Sequence, residues 1–337
     1  MSFRLVRPED YKPRKLGALR MFTEDNDSYP IAKIRTKTGK IKAFIQSRAT
    51  KPDGAEWIPG VEADDGDTIE KMPNLIPDSR DCLYVVGQSG TYKTTFAREY
   101  ADNFIEEFER LGESPRVIIV CVDNPDMDTA FNGLKYVWIK PVELVADFAG
   151  RPEEMTPEVI NPDYRPTLFI FDDLEGISDR VTEKTINAFV HMVLTRGRKY
   201  RLYSVFISHA GTKQGGGASV HLLESSHISI PLKHTIGNNI KYTLEKHFNL
   251  PPSVRKILQS DFINFGPRAL ISSGGSPQTI ITAKRVLALD QDKIDMAIEE
   301  IKEKQREVKR EAKEAIKKAA KDKKTRAAAA ELDEDDK

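Results

Sequence analysis

The residues best suited to chemistry lie between Cys82 and His209. Gly87-Gln88-Ser89-Gly90-Thr91-Tyr92-Lys93-Thr94-Thr95 falls directly between an apolar run, CLYVV, and a segment with helical spacing. A glycine-bearing turn at such a junction lets backbone N–H groups wrap phosphate oxygens, and the helix N-terminus adds partial positive charge. Lys93, read as a solvent-facing charge, then reaches the β- and γ-phosphates of a nucleotide such as ATP, while the Thr94 hydroxyl holds Mg²⁺. The pattern G-x-x-x-x-G-K-[ST] is met except at Tyr92, which stands where the second glycine belongs. A tyrosine keeps its backbone donor there if its φ is negative and its ring turns away from the phosphates. The ring can then contact the nucleotide, the following helix or a neighbouring subunit.

The second group is Thr-Leu-Phe-Ile-Phe171-Asp172-Asp173-Leu-Glu175. An apolar run followed by a carboxylate places Asp172 at the C-terminal end of a buried strand, where open α/β sheets bind ligands. Asp172 can hold Mg²⁺ opposite Thr94. Asp173, or Glu175 as the alternative, can orient and activate a water; one of these acids could instead cap the next helix. A third apolar run, Val205-Phe-Ile-Ser208, ends at His209, which can sense a γ-phosphate. Just upstream, Arg196-Gly-Arg198-Lys199-Tyr-Arg201 is a basic cluster between a helix and that strand. Its arginines could reach a γ-phosphate across a subunit boundary from near the sheet's C-terminal edge, contact a DNA backbone, or simply be surface charge.

The elements that must hold these groups are legible from periodicity. CLYVVG, RVIIVCV, Tyr136–Ile139, TLFIF, LYSVFIS and HISIPL read as buried strands. Between them, Phe96, Tyr100, Phe104 and Phe108 recur every four residues as one helix face, and Gly112 ends that helix. Ile186, Phe189, Val190 and Val193 mark a second amphipathic helix. Apolar strands alternating with helices predict an α/β fold with a mostly parallel sheet covered by helices on both faces. Helical stretches over 238–248 and 252–259 follow, then FINF, ALISS and TIITAKRVLAL as a small β-rich finish.

The flanks differ in character. Residues 31–46 alternate apolar and basic around Thr38-Gly39 and read as a β-hairpin solvated on one face. Residues 1–48 hold 12 basic and 5 acidic residues, and the segment reads as a basic arm. Residues 51–80, rich in Pro, Gly and Asp, read as an irregular linker rather than an element. From Asp290 the chain reads as one charged helix or disordered tail, with 12 basic against 5 acidic residues over 302–326. The expected division is an N-terminal basic arm and hairpin over 1–75, a catalytic α/β domain over 76–289 and a charged tail over 290–337.

With 52 basic and 52 acidic residues among 337, net charge is zero, so partners must be read from these local runs. No apolar run approaches the ~20 residues needed to span a bilayer, and no secretory h-region is visible, which argues against membrane insertion or export. Cys82 and Cys121 are the only cysteines and read as core thiols of a reducing compartment.

Taken in order, the P-loop, FIFDD, RGRKYR and VFISH resemble the genome-packaging ATPases of large double-stranded DNA viruses, the poxvirus-type members of the FtsK–HerA superfamily of P-loop ATPases. The resemblance covers about residues 81 to 235. This chain departs from the family pattern at Tyr92, at Asp172-Asp173 where many members have Asp-Glu, and at Lys199 and His209, where members carry Gly-Arg-His and Ser-Gln. The resemblance implies an ATP-hydrolysing homo-oligomeric ring that pulls double-stranded DNA into a preformed capsid. A capsid or portal-like vertex component would be its partner, in the host cytoplasm, a virus factory or the virion. It also implies an ASCE-type sheet, with the strand ending at His209 between the P-loop strand and the Asp172 strand. A helicase, a small-molecule kinase and a non-hydrolysing ATP-binding protein that tethers DNA stand as alternatives.

Overall fold

The computed structural model describes residues 2–11, 29–48, 60–75, 80–148, 151, 154–209, 225–232, 244–245, 266–272 and 278–289, with scattered helical positions between 299 and 314. Met1–Asp290 forms one compact unit and Gln291–Lys337 a second. Most of the helical readings at 238–248 and 252–259, FINF at 262–265, the Glu175 side chain and most of the charged tail lie outside the described residues.

Five strands precede the P-loop: β1 (Ser2–Val6), β2 (Tyr29–Arg35), β3 (Ile41–Arg48), β4 (Gly60–Glu62) and β5 (Thr68–Lys71). Then come β6 (Cys82–Val86), α1 (Lys93–Arg110), β7 (Arg116–Val120), β8 (Val137–Ile139), α2 (Pro141–Phe148), α3 (Pro157–Ile160) and β9 (Thr167–Phe171). The unit finishes with α4 (Arg180–Arg196), β10 (Leu202–Ser208), β11 (His227–Pro231), β12 (Arg268–Ser272), β13 (Gln278–Thr282) and β14 (Arg285–Leu289). The strands build a four-stranded sheet, β1-β3-β2-β5, and a ten-stranded sheet, β4-β14-β13-β12-β11-β6-β10-β9-β7-β8. From β8 to β11 every pairing is parallel, and from β11 to β4 every pairing is antiparallel.

This is an α/β fold whose large sheet has the strand order expected of the ASCE type, because β10 lies between β6 and β9. β6, β9 and β10 are buried at every position, which is why they read as nearly continuous apolar runs: helices cover both faces. α1 packs Phe104 and Phe108 edge-on against Tyr203, with ring centroids 5.1 and 5.6 Å apart. On the other face Phe189 of α4 meets Phe169 and Phe171 at 5.4 and 6.0 Å.

The N-terminal hairpin is present, with its turn at Gly39 (φ +82°), but it is not a basic face left to solvent. Lys33 is fully buried and donates to Glu106 (2.5 Å) and Glu107 (3.4 Å) of α1. Arg35 reaches Glu70 and Glu106. Ala32, Ile34, Ala43 and Ile45 join the same core as Leu83 and Ala97. Residues 60–71 are also not irregular, since β4 closes onto β14 and β5 onto β2. Those strands are three and four residues long, too short for a periodic signal, and their partners are distant in sequence.

A buried polar cluster fixes the foot of β6. Asp81 accepts from Lys71 Nζ (3.0 Å), Tyr100 Oη (2.7 Å) and the Asn74 amide (2.9 Å). His227 Nδ1 lies 3.7 Å from the second Asp81 oxygen. Burial outweighs Asp81 and pushes the His227 imidazole down to about 4, so it is neutral at pH 7.

Candidate nucleotide site

Parallel pairing brings three strand ends side by side. Ser208 is level with Val86 and Phe206 with Phe171, so His209 emerges between the P-loop and the Asp172-Asp173 pair. The Gly87 amide donates to Ser208 O (3.2 Å), locking the loop's first turn to β10. Gly87 has φ +150°, and a Cβ there would lie 2.6 Å from Thr91 Oγ1. Only a glycine fits that turn.

Tyr92 adopts φ +61° and ψ +30° at the N-cap of α1. The condition of a negative φ is therefore not met: the backbone has taken the left-handed conformation that glycine favours, at a cost of ~1–2 kcal/mol. The ring stands about half exposed, at 51%.

Lys93 is buried, at 7% exposure, rather than solvent-facing. Its ammonium folds back onto the loop, donating to Gly87 O (2.8 Å) and Gln88 O (3.1 Å). It also lies 3.3 Å from His209 Nδ1. On its other side His209 Nε2 is 2.9 Å from Asp173 Oδ1. An ammonium can only donate, so Nδ1 accepts and Nε2–H donates to the carboxylate. The structure thus joins Lys93, His209 and Asp173 in one hydrogen-bonded chain.

Asp172 continues β9, its amide donating to Val120 O (3.1 Å). Burial first, then the charges of Asp173 and Asp128, push its carboxyl up to about 6, with Lys93 pulling the other way. A divalent cation would offset that accumulated negative charge. Among the described residues no cluster of His, Cys, Asp or Glu could hold a metal by itself. One hydroxyl and one carboxylate fit Mg²⁺, which commonly shares such protein ligands with substrate phosphates and water. Asp173 is exposed and left-handed (φ +51°).

Arg196 and Arg198 are not brought to this site. They immediately precede β10, so they sit at the opposite edge of the sheet from His209. A seven-residue strand at ~3.3 Å per residue separates the two ends by ~20 Å. Both arginines are exposed, as is Lys199. The expected placement near the C-terminal edge therefore does not hold within one chain.

Sequence reasoning missed Arg268. At 5% exposure, this first residue of β12 donates to Val86 O (2.8 Å), Thr91 O (2.6 Å), Ser229 O (2.7 Å) and Ser229 Oγ (2.9 Å). It ties the entry of the loop at Val86 to its middle at Thr91. Burial pushes the guanidinium down to about 9, which leaves it charged at pH 7. An arginine opening an apolar strand carries no local signal for such a role.

No family model matches the chain. A curated relative, "Uncharacterized protein V3" of Sputnik virophage, is 24% identical over 234 residues, spanning 67% of this chain and 83% of the relative. Among solved structures, the pCW3 conjugation coupling protein TcpA with ATPγS is similar at 11% identity and TM-score 0.36, covering 82% of each chain. The cytoplasmic domain of EssC is similar at 12% identity and TM-score 0.37, over 66% of this chain and 41% of that one. Thermomonospora curvata EccC, in complex with a signal sequence peptide, is similar at 12% and 0.37, over 68% and 39%. The chain thus spans about two fifths of the latter two. Scores this low fix no residue correspondences, and the fold rests on the strand order described above. No helix among the described residues is long and apolar enough to cross a membrane.

Proposed function

We propose that this chain is an ATPase that hydrolyses ATP to move double-stranded DNA, packaging a viral genome into a preformed capsid. The observation that carries the catalytic part is the Lys93–His209–Asp173 chain across the ends of β6, β10 and β9. Loop amides from Gly87 to Thr95 and the Lys93 ammonium bind the β- and γ-phosphates. Thr94 and Asp172 would hold Mg²⁺, which supplies charge neutralisation between those phosphates. Asp173 orients the attacking water and accepts its proton, with Glu175 as the neighbouring carboxylate for the same role. His209 links the lysine to the base. A γ-phosphate that draws Lys93 away alters the hydrogen bond His209 gives to Asp173, so His209 senses the nucleotide.

The DNA-moving part is supported by charge. Arg196, Arg198 and Lys199 form an exposed basic group on the sheet edge away from the nucleotide, and residues 302–326 carry 12 basic against 5 acidic residues. At ~20 Å from their own site, Arg196 or Arg198 could act on a phosphate only across a subunit boundary. A homo-oligomeric ring with trans arginines is therefore part of the proposal. The virophage relative supports a viral setting, with action in a virus factory at a capsid or portal-like vertex.

The test is phosphate release by the purified chain in Mg²⁺-ATP, with and without linear double-stranded DNA. Turnover should rise with DNA. No turnover under either condition would overturn the catalytic reading, and DNA-indifferent turnover would overturn the motor.

A further inference from the structure

We propose that the cavity beside Tyr92 receives the purine base of the bound nucleotide, with the Tyr92 ring as its stacking platform. The proposal rests on the phosphate-site reading and extends it to the other end of the ligand. The cavity measures about 320 Å³ and is walled by Tyr92, Thr95 and Phe96, by Pro267 and Leu270, and by Ile281. That volume is at the lower end of the ~300–1,000 Å³ typical of small-molecule sites.

Position argues for a nucleotide base over other occupants. Tyr92 lies between Thr91, whose carbonyl Arg268 holds, and Lys93, the phosphate-binding lysine. Thr95 and Phe96 belong to the first turn of α1. Tyr92 and Thr95 thus belong both to the loop–helix junction and to the cavity wall, and a ligand anchored at the junction by its phosphates carries its base within reach of this wall. The chemistry agrees. Tyr92, Phe96, Pro267, Leu270 and Ile281 give the cavity a largely apolar wall that suits a flat heteroaromatic ring, while Glu70, Lys71, Glu99 and Arg268 add polar groups of both signs.

The backbone of Tyr92 adds an independent observation. Its φ of +61° is one that glycine adopts freely and tyrosine resists, and its ring is half exposed instead of buried in the core. Strained conformations of this kind collect at ligand sites. Here the strain keeps an aromatic face at the cavity mouth. Base–aromatic stacking corresponds to about 5- to 150-fold in affinity.

Calorimetric titration of ATP and of inorganic tripolyphosphate, each with Mg²⁺, into wild type, Tyr92→Ala and Tyr92→Phe tests this. Tyr92→Ala should weaken ATP binding by about 5- to 150-fold and leave tripolyphosphate binding unchanged. Tyr92→Phe, which keeps the ring, should restore ATP binding. As a second readout, 2-aminopurine riboside triphosphate should lose fluorescence on binding wild type but not Tyr92→Ala. Equal weakening of ATP and tripolyphosphate in Tyr92→Ala, or no weakening of ATP, would overturn the base platform alone. So would wild type binding tripolyphosphate as tightly as ATP. Wild type binding neither ligand would instead overturn the phosphate-site reading, and this proposal with it.

Discussion

Replacing Asp173 with asparagine should separate nucleotide binding from hydrolysis. The side chain is 60% exposed, so the change removes little packing. Its backbone sits at φ +51°, a region asparagine tolerates about as well as aspartate. The amide oxygen can still accept from His209 Nε2, now 2.9 Å from the carboxylate. Stability should therefore shift by less than ~0.5 kcal/mol. Removing the charge beside Asp172 also lowers that partly buried carboxyl toward the ordinary carboxylate range, because Asp173 is its largest charged perturber. Binding of ATP with Mg²⁺ should thus stay within about 3-fold, under ~0.7 kcal/mol. Hydrolysis is another matter, because an amide cannot take the proton of the attacking water. Loss of a general base lowers turnover by ~10²–10⁴-fold, or ~3–5 kcal/mol in the barrier. The assay pairs steady-state phosphate release with an equilibrium ATP titration on the same preparation. Asp173→Asn turning over at the wild-type rate would refute the assignment. A dead Glu175→Gln beside it would move the base to Glu175.

Lys93→Ala should lower turnover by at least ~100-fold. Its removal takes the donor from the buried bond to Gly87 O, so the fold should also lose ~1–3 kcal/mol; wild-type phosphate release would exclude the lysine from the site. Arg268→Gln should destabilise the fold by ~3 kcal/mol or more, since buried carbonyls of Val86, Thr91 and Ser229 lose their donor. An unchanged urea midpoint would show that the brace is dispensable. The His227 imidazole, held at about 4 against an ordinary value of 6.5, contributes no penalty above pH 6.5, where both folded and unfolded forms are neutral. As pH falls from 6.5 to 4 only the unfolded chain gains the proton, so stability should drop by up to ~3 kcal/mol. His227→Gln should flatten that window in urea titrations across pH, and an identical pH profile in both proteins would contradict the assignment. Removing residues 302–337 should flatten the salt dependence of DNA affinity, by ~0.9 in log–log slope for each DNA phosphate that the tail neutralises. An unchanged slope would make the tail a bystander in DNA binding.

The residues of the candidate nucleotide site were legible because they are written in short, contiguous stretches. Gly87 to Thr95 is one turn between one strand and one helix, and Asp172 follows directly on the apolar run that buries it. Strands covered on both faces declare themselves as nearly continuous apolar runs, and α1 declares itself through Phe96, Tyr100, Phe104 and Phe108. Periodicity carries no strand order. That β10 lies between β6 and β9 came only as an implication of the family resemblance, and it is what sets His209 between Lys93 and Asp173.

Other features were decided by pairings across long stretches of chain, which no local pattern encodes. Lys33 looks like a solvated hairpin residue until Glu106 and Glu107, more than seventy residues later, bury it. Arg268 holds Val86 across 182 positions. The basic cluster at Arg196 and Arg198 looked close to the site because it is close in sequence to His209, yet a parallel strand carries its two ends to opposite edges of the sheet. Tyr92 shows the limit most sharply. The sequence determined that an aromatic residue stands in the P-loop where glycine is expected, whereas its left-handed backbone and its place on the wall of a cavity were decided by the loop's pinning to β10 and β12. Local residue types specify which groups are available for chemistry, and the hydrogen bonds between distant segments specify where those groups point.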